Sequence, residues 1–270
     1  LFTLAHFFYA LFFTAMMASA LPMPVNESPL FHLKIVDPQH KLADRTAIFT
    51  ANLKAAVEDW NRAIPFAAAL EIEVHVENGG VDRVDAASRS SQLLAKTENR
   101  EVFEEGAAYK IRTGKSALPG QPDVLIRISP QWLDQEIWMD PHPETKLTAV
   151  PNHKLDMVSL LKHELAHAFG FHSFRDLKTG SLPKTYMSAL DQLTINREGQ
   201  FYFTGSHAEK LYGGPIPMTS KIESQNFAHY GNPGDAKSLV AGLMSGVTIN
   251  YGRRYEISSL DLAILKDLGL

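Results

Sequence analysis

The residues best equipped for chemistry lie in one stretch, Lys162-His163-Glu164-Leu165-Ala166-His167-Ala168-Phe169-Gly170-Phe171-His172. In a helix, residues four apart share a face, so the two imidazoles of His163-Glu164-x-x-His167 can close on a single ion. Zinc suits such a pair because it accepts neutral imidazole nitrogen at about 2.0–2.1 Å and keeps one position open for water in catalytic sites. Glu164 is then offset to the side of that face, where its carboxylate reaches the water as a base without becoming a ligand. The competing reading is a pair of ordinary helix histidines. The surroundings favour the metal: Asp156 stands where a helix is capped, Met157-Val158-Ser159-Leu160-Leu161 is an apolar-rich run, and Gly170 sits where the chain would leave the helix in the left-handed conformation.

A catalytic zinc takes three protein ligands. Extending the motif as His-Glu-x-x-His-x-x-Gly-x-x-His requires histidine at position 173, which is Ser173. His172 falls one place short and binds only if the turn after Gly170 tightens. His207 and His229 are the more distant candidates, with Glu209 and Asp191 as carboxylate options.

These side chains need elements to position them. At 270 residues with 45% hydrophobic content the chain can bury a substantial core, and a net charge of −4 with scattered Lys and Arg gives no footprint for nucleic acid or an anionic membrane. Zero cysteines excludes disulfides, thiolate metal sites and a cysteine-based latency switch. Leu1 to Ala20 is an almost unbroken apolar run ending in Ala18-Ser19-Ala20, the pattern of an export signal; an uncleaved membrane anchor is the alternative. Export without cysteine points to a bacterial secreted or periplasmic protein. The expected organisation is a signal peptide over 1–20, a linker over 21–32, an N-terminal subdomain with the metal helix over 33–170 and a C-terminal subdomain over 171–270, the cleft between them running over the metal.

Periodicity predicts a strand at Phe31–Val36, an amphipathic helix over Thr46–Ile64 ending at Pro65, and an alternating strand over Ala69–Glu77 with His75 on its solvated face. Asp82–Tyr109 reads as charged and mostly helical, Gly114–Pro122 as a loop, and Val124–Ile128 as a strand closed by Pro130. Asp140–Pro151 is a loop, leaving His142 and His153 exposed. After Gly170 loops dominate, and Ile257–Leu268 is the one clear helix, capped by Ser258 or Ser259. This order fits an α+β fold, a twisted mixed sheet with helices packed against it. No Asp-x-Asp-x-Asp-Gly calcium loop is visible.

His163-Glu164-x-x-His167-x-x-Gly170, followed by a methionine-containing turn, resembles the metzincin superfamily of zinc endopeptidases. Within it the chain is most similar to the leishmanolysin arrangement, in which Gly-Phe is followed by a long insertion before the third histidine. More closely it resembles a little-characterised group of exported bacterial proteins of metalloprotease type. The matching segments include Ala107-Ala108-Tyr109-Lys110, Gly120-x-Pro122-Asp123-Val124, Ser188-Ala189-Leu190-Asp191, Tyr212-Gly213-Gly214-Pro215, Ala228-His229-Tyr230-Gly231, Gly242-Leu243-Met244 and Ser259-Leu260-Asp261-Leu262-Ala263. Leishmanolysin itself is rich in cysteine, and this chain has none.

The resemblance implies a metzincin-like protease domain in which His229 is the third ligand, with His172 as the alternative. It also implies that Met244 forms the hydrophobic floor beneath the metal and that Ile257–Leu268 is the closing helix. The expected protein is a secreted zinc endopeptidase acting on protein or peptide substrates. Glu164 would take a proton from the attacking water and pass it to the leaving amine. Tyr230, Tyr251 or Tyr255 could assist, or simply pack. The resemblance further suggests that Val124–Ile128 pairs with an extended substrate at a sheet edge. Two other readings differ in class: a gluzincin-like site with Glu198 or Glu209 as third ligand, and an exported binding module that keeps the fold without turnover.

Overall fold

A computed structural model describes residues 29–78, 83–219, 227–231, 242–246 and 249–270. The predicted signal segment lies outside these residues. The chain enters on strand β1 (Phe31–Val36), which therefore takes up the last residues of the expected linker. Helix α1 (Thr46–Ala63) follows, then β2 (Leu70–Val76), which runs parallel to β1 with Leu33 opposite Ile72. A parallel pair needs such a crossover, and α1 supplies it while laying Phe49, Leu53, Ala56, Val57 and Trp60 into the core.

Residues 84–105 form strands where charge composition predicted helix: β3 (Val84–Ser88), β4 (Ser91–Lys96) and β5 (Glu101–Glu105). Only α2 (Gly106–Thr113), at the end of that stretch, is helical. The cause lies in pairing that local composition does not encode. β3 joins β6 (Val124–Ile128) antiparallel, Ala86 opposite Ile126, while β4 and β5 make a hairpin whose outer strand β4 is mostly exposed and whose inner strand β5 buries Val102, Glu104 and Glu105. The main sheet has the order β1-β2-β6-β3, with β1, β2 and β6 parallel. Its alternating burial puts Leu70, Ile72, Val74 and Val76 inward and Glu71, Glu73 and His75 on the opposite face. His75 hydrogen-bonds Glu73 there at 2.5 Å.

Pro130 opens α3 (Pro130–Gln135), followed by a short parallel pair, β7 (Ile137–Trp138) with β8 (Leu155–Asp156). His142 and His153 are exposed on the intervening loop. β8 delivers the chain into α4 (Met157–Phe169), in which every residue but His167 is buried. Beyond it, β9 (Tyr186–Ser188) joins β5, and α5 (Ala189–Gln192) leads into a three-stranded sheet of β10 (Thr194–Arg197), β11 (Gln200–Phe203) and β12 (Ile216–Pro217), with α6 (Ser206–Tyr212) between the last two. This half is more regular than its Gly and Pro content suggested. The closing helix is α7 (Ser259–Asp267), capped by Ser258.

One hydrophobic cluster runs through both halves, from Phe49 and Ile72 to Phe203, Met244 and Leu265. Gly170 packs the end of α4 against the closing helix: at φ 149° it adopts a backbone that side chains disfavour, and a Cβ there would come within 3.0 Å of Leu268 Cδ1 and 3.3 Å of Leu265 Cδ2. Trp60 ties α1 to α4, donating from Nε1 to Lys162 O at 3.0 Å and meeting the Phe169 ring edge-on at 5.6 Å. No helix among the described residues is long and apolar enough to cross a membrane.

Candidate metal centre

Asp156 fixes the start of α4, accepting from Ser159 N at 3.0 Å and Ser159 Oγ at 2.6 Å. From that start the helical repeat brings His163 and His167 to one side, their ring centroids 4.9 Å apart and nearly perpendicular. The third ring comes from a distant segment. His229 stacks on His163 at 4.9 Å and stands edge-on to His167 at 4.7 Å. One ligating nitrogen from each of His163, His167 and His229 lies within 4.8 Å of the other two.

The tautomers follow from the partners. His163 Nδ1 is 2.8 Å from Leu243 O and His167 Nδ1 is 2.7 Å from Phe171 O. A carbonyl only accepts, so both Nδ1 atoms carry the proton and both Nε2 atoms present a lone pair. Burial pushes the His163 ring down to about 4 and the His167 ring to about 3, which keeps both neutral at ordinary pH. His229 Nε2 stands 3.0 Å from His163 Nε2. A lone pair on His163 at that distance needs a proton or a cation opposite it. Tetrahedral coordination by imidazole requires N···N separations of about 3.3 Å. The donor set therefore fits a divalent ion that favours nitrogen, with the second ring nitrogens of His163 and His167 tied off as outer-shell partners require.

Glu164 is buried beside this group, and its Oε2 accepts from Ala86 N at 3.0 Å. Burial raises its carboxyl well above the usual carboxylate range, and nearby Asp85 adds to the shift against the hydrogen bond from Ala86. β3 is an edge strand here. The flanking residues 83 and 89 turn their backbone groups toward the β6 side, with Ser129 N donating to Arg83 O and Arg89 N to Asp123 O, while Ala86 within the strand turns outward to Glu164. β6, expected as the edge, is instead paired on both sides, by β2 and β3. It offers no free backbone to a substrate.

A cavity of about 340 Å³ opens over the histidines between β3 and the segment after α4, with Glu105, His172 and Ser173 in its far wall. A second hollow, about 260 Å³, shares His163, Glu164 and His229 and is walled by Trp132, Leu155, Leu160 and Ile249, with Arg83 alongside.

The other candidates are placed elsewhere. His172 lies outside the three-nitrogen group: its Nδ1 pairs with Glu105 Oε1 at 2.7 Å, and although burial opposes it, that carboxylate raises the ring above its ordinary value. The turn after Gly170 does not tighten enough to bring this ring to the metal side, because Phe171 O is held on His167. His207 Nδ1 pairs with Asp267 at 2.7 Å, and its side chain is half exposed. Asp191 closes a capping box with Ser188, Glu209 lies on α6, and Glu198 occupies a turn at φ 52°. Tyr230 is buried on Asp261, Tyr251 reaches Glu136, and Tyr255 accepts from Asn250. None of these three tyrosines lines either hollow. Met244 is fully buried, directly after the Leu243 whose carbonyl holds His163.

The sequence reading missed the edge strand that meets Glu164 and the Glu105–His172 pair. Neither has a local signature, since each joins residues far apart in the chain. No family model, curated protein or solved structure matches the chain.

Proposed function

We propose that the chain is an exported zinc-dependent endopeptidase of metzincin type, with His163, His167 and His229 as ligands and Glu164 as general base. One observation carries the reading: three imidazoles from two separate segments meet in a cleft that also receives a buried carboxylate from the residue next to the first ligand. Zinc held there would supply Lewis acidity toward a peptide carbonyl and toward the attacking water.

The chain's own residues do the remainder. Glu164, its proton affinity raised by burial, accepts a proton from the attacking water and returns it to the leaving amine. The outward backbone of β3 aligns an extended peptide in antiparallel fashion, a role transferred here from β6. Trp132, Leu155, Leu160 and Ile249 suit an apolar side chain flanking the cleaved bond. Leu1 to Ala20 supplies the export signal.

The test compares zinc-loaded parent protein with Glu164→Gln on casein and on a quenched peptide library. A fall in kcat of about a hundredfold or more, with zinc content unchanged, is expected. Equal hydrolysis by both proteins, or none by the parent under any metal loading, would refute the reading; the second outcome would favour a binding module that retains the fold.

A further inference from the structure

Asp261 lies on α7, and its carboxylate is fully buried between the C-terminal helix and the metal centre. It accepts from five donors. Oδ1 receives Tyr230 OH at 2.7 Å and Met244 N at 3.2 Å; Oδ2 receives Leu243 N at 3.3 Å, Ser258 N at 2.7 Å and Ser258 Oγ at 2.6 Å. A helix cap needs only the Ser258 contacts. The other three reach outside the helix, to two segments that each adjoin the metal centre.

Each of those segments ends on a ligand. Leu243, whose N–H is held by Asp261, places its carbonyl on His163 Nδ1 at 2.8 Å and so fixes which nitrogen of that ring faces the metal. Tyr230, whose hydroxyl is held by the same carboxylate, immediately follows His229. The two segments are also locked to each other: Tyr230 N donates to Met244 O at 3.1 Å and Gly246 N to Tyr230 O at 2.8 Å. Gly242 permits this approach, because a Cβ at that position would overlap the Tyr230 hydroxyl.

We infer that Asp261 is a positioning residue for the metal centre, a single carboxylate on the closing helix that sets the orientation of His163 through Leu243 and the approach of His229 through Tyr230. The inference rests on the metal-binding reading above and assigns to α7 a role in holding the ion as well as in packing. Replacing the carboxylate with an amide removes its charge and converts one acceptor into a donor facing backbone N–H groups. The Leu243–Met244 turn then shifts, and with it the carbonyl that orients His163. Outer-shell partners of this kind typically affect metal affinity about tenfold to a hundredfold.

The experiment measures zinc affinity by chelator competition, and the visible spectrum of the cobalt-substituted protein, in the full chain and three variants. Asp261→Asn is expected to weaken zinc by about tenfold to a hundredfold and to shift the cobalt bands. Tyr230→Phe deletes one of the five bonds, and a several-fold loss in the same direction is expected; it decides the matter if Asp261→Asn does not fold. Leu262→Ala, on the same helix but not bonded to Asp261, controls for loss of stability and should bind zinc as the parent does.

Parent-like affinity and spectra in whichever of Asp261→Asn and Tyr230→Phe fold would overturn the inference while leaving the metal centre in place. So would an equal loss in Leu262→Ala. A parent chain that takes up neither metal would overturn the metal reading itself, and this inference with it.

Discussion

His163 and His167 ride on α4, a helix buried along nearly its whole length and pinned at its start by Asp156, whereas His229 lies on no helix or strand and is bonded to segments remote from α4 in sequence. The first two owe their spacing to helical geometry and would keep it in any environment that preserved the helix. The third owes its place to long-range bonds: Thr219 N to His229 O at 3.0 Å, Gly231 N to Pro217 O at 2.7 Å, and the contacts of Tyr230 with Met244 and Asp261. The centre therefore joins a prebuilt bidentate grip to a ligand strapped on by tertiary packing. Damage to the strap should cost metal before it costs fold, and damage to the helix should cost both together.

The largest effect expected from this difference is at the third ligand. His229→Ala should lose zinc at micromolar metal and fall to background peptidase activity, while the metal-free protein keeps its stability to within about 1 kcal/mol, read by thermal melting. A collapse of the fold in that variant would place His229 in the structural core instead.

Acid provides the second separation. In the folded, metal-free chain burial lowers His163 to about 4 and His167 to about 3, against about 6.5 in the unfolded chain. As pH falls below 6.5 the unfolded state takes up protons that the folded state refuses, so stability is intact above that value and is lost progressively down to about pH 3. Melting temperatures of the metal-free protein between pH 7 and pH 4 should show this decline, and His163→Gln should flatten it. An unchanged slope in that variant would mean that the α4 histidines do not drive the acid response.

How much of this could be read from the chain alone follows the same division. The α4 pair, its Asp156 cap and the Gly170 stop are local signals, written within a dozen or so neighbouring residues. β3 and β5 escaped because they pair with β6 and β9, remote in sequence, and β4 because a strand that mostly faces water has the composition of a surface helix. His229 was reachable by resemblance and not by spacing, since nothing near it marks a ligand. The pattern Ser258-x-x-Asp261 does announce a capped helix, yet it says nothing of Leu243 or Tyr230, which only the tertiary structure brings to that carboxylate.

Smaller effects should sharpen the contrast on the helix side. Asp156→Ala removes a cap that also pairs at 3.4 Å with Arg254, so a stability loss of about 1–2 kcal/mol is expected by denaturant titration, with weaker zinc binding alongside. Gly170→Ala meets both an unfavourable φ and the side chains of Leu265 and Leu268, and about 1 kcal/mol is expected from the backbone alone. A variant of either kind that lost stability but bound zinc at full strength would separate the grip from its helix.

The central claim is the convergence of three imidazoles on one ion, and X-ray absorption of the zinc-loaded chain tests it most directly. One zinc per chain with three histidine nitrogens at about 2.0–2.1 Å, reduced to two or lost altogether in His229→Ala, is the predicted result. Absence of bound zinc, or a spectrum that His229→Ala leaves unchanged, would contradict it.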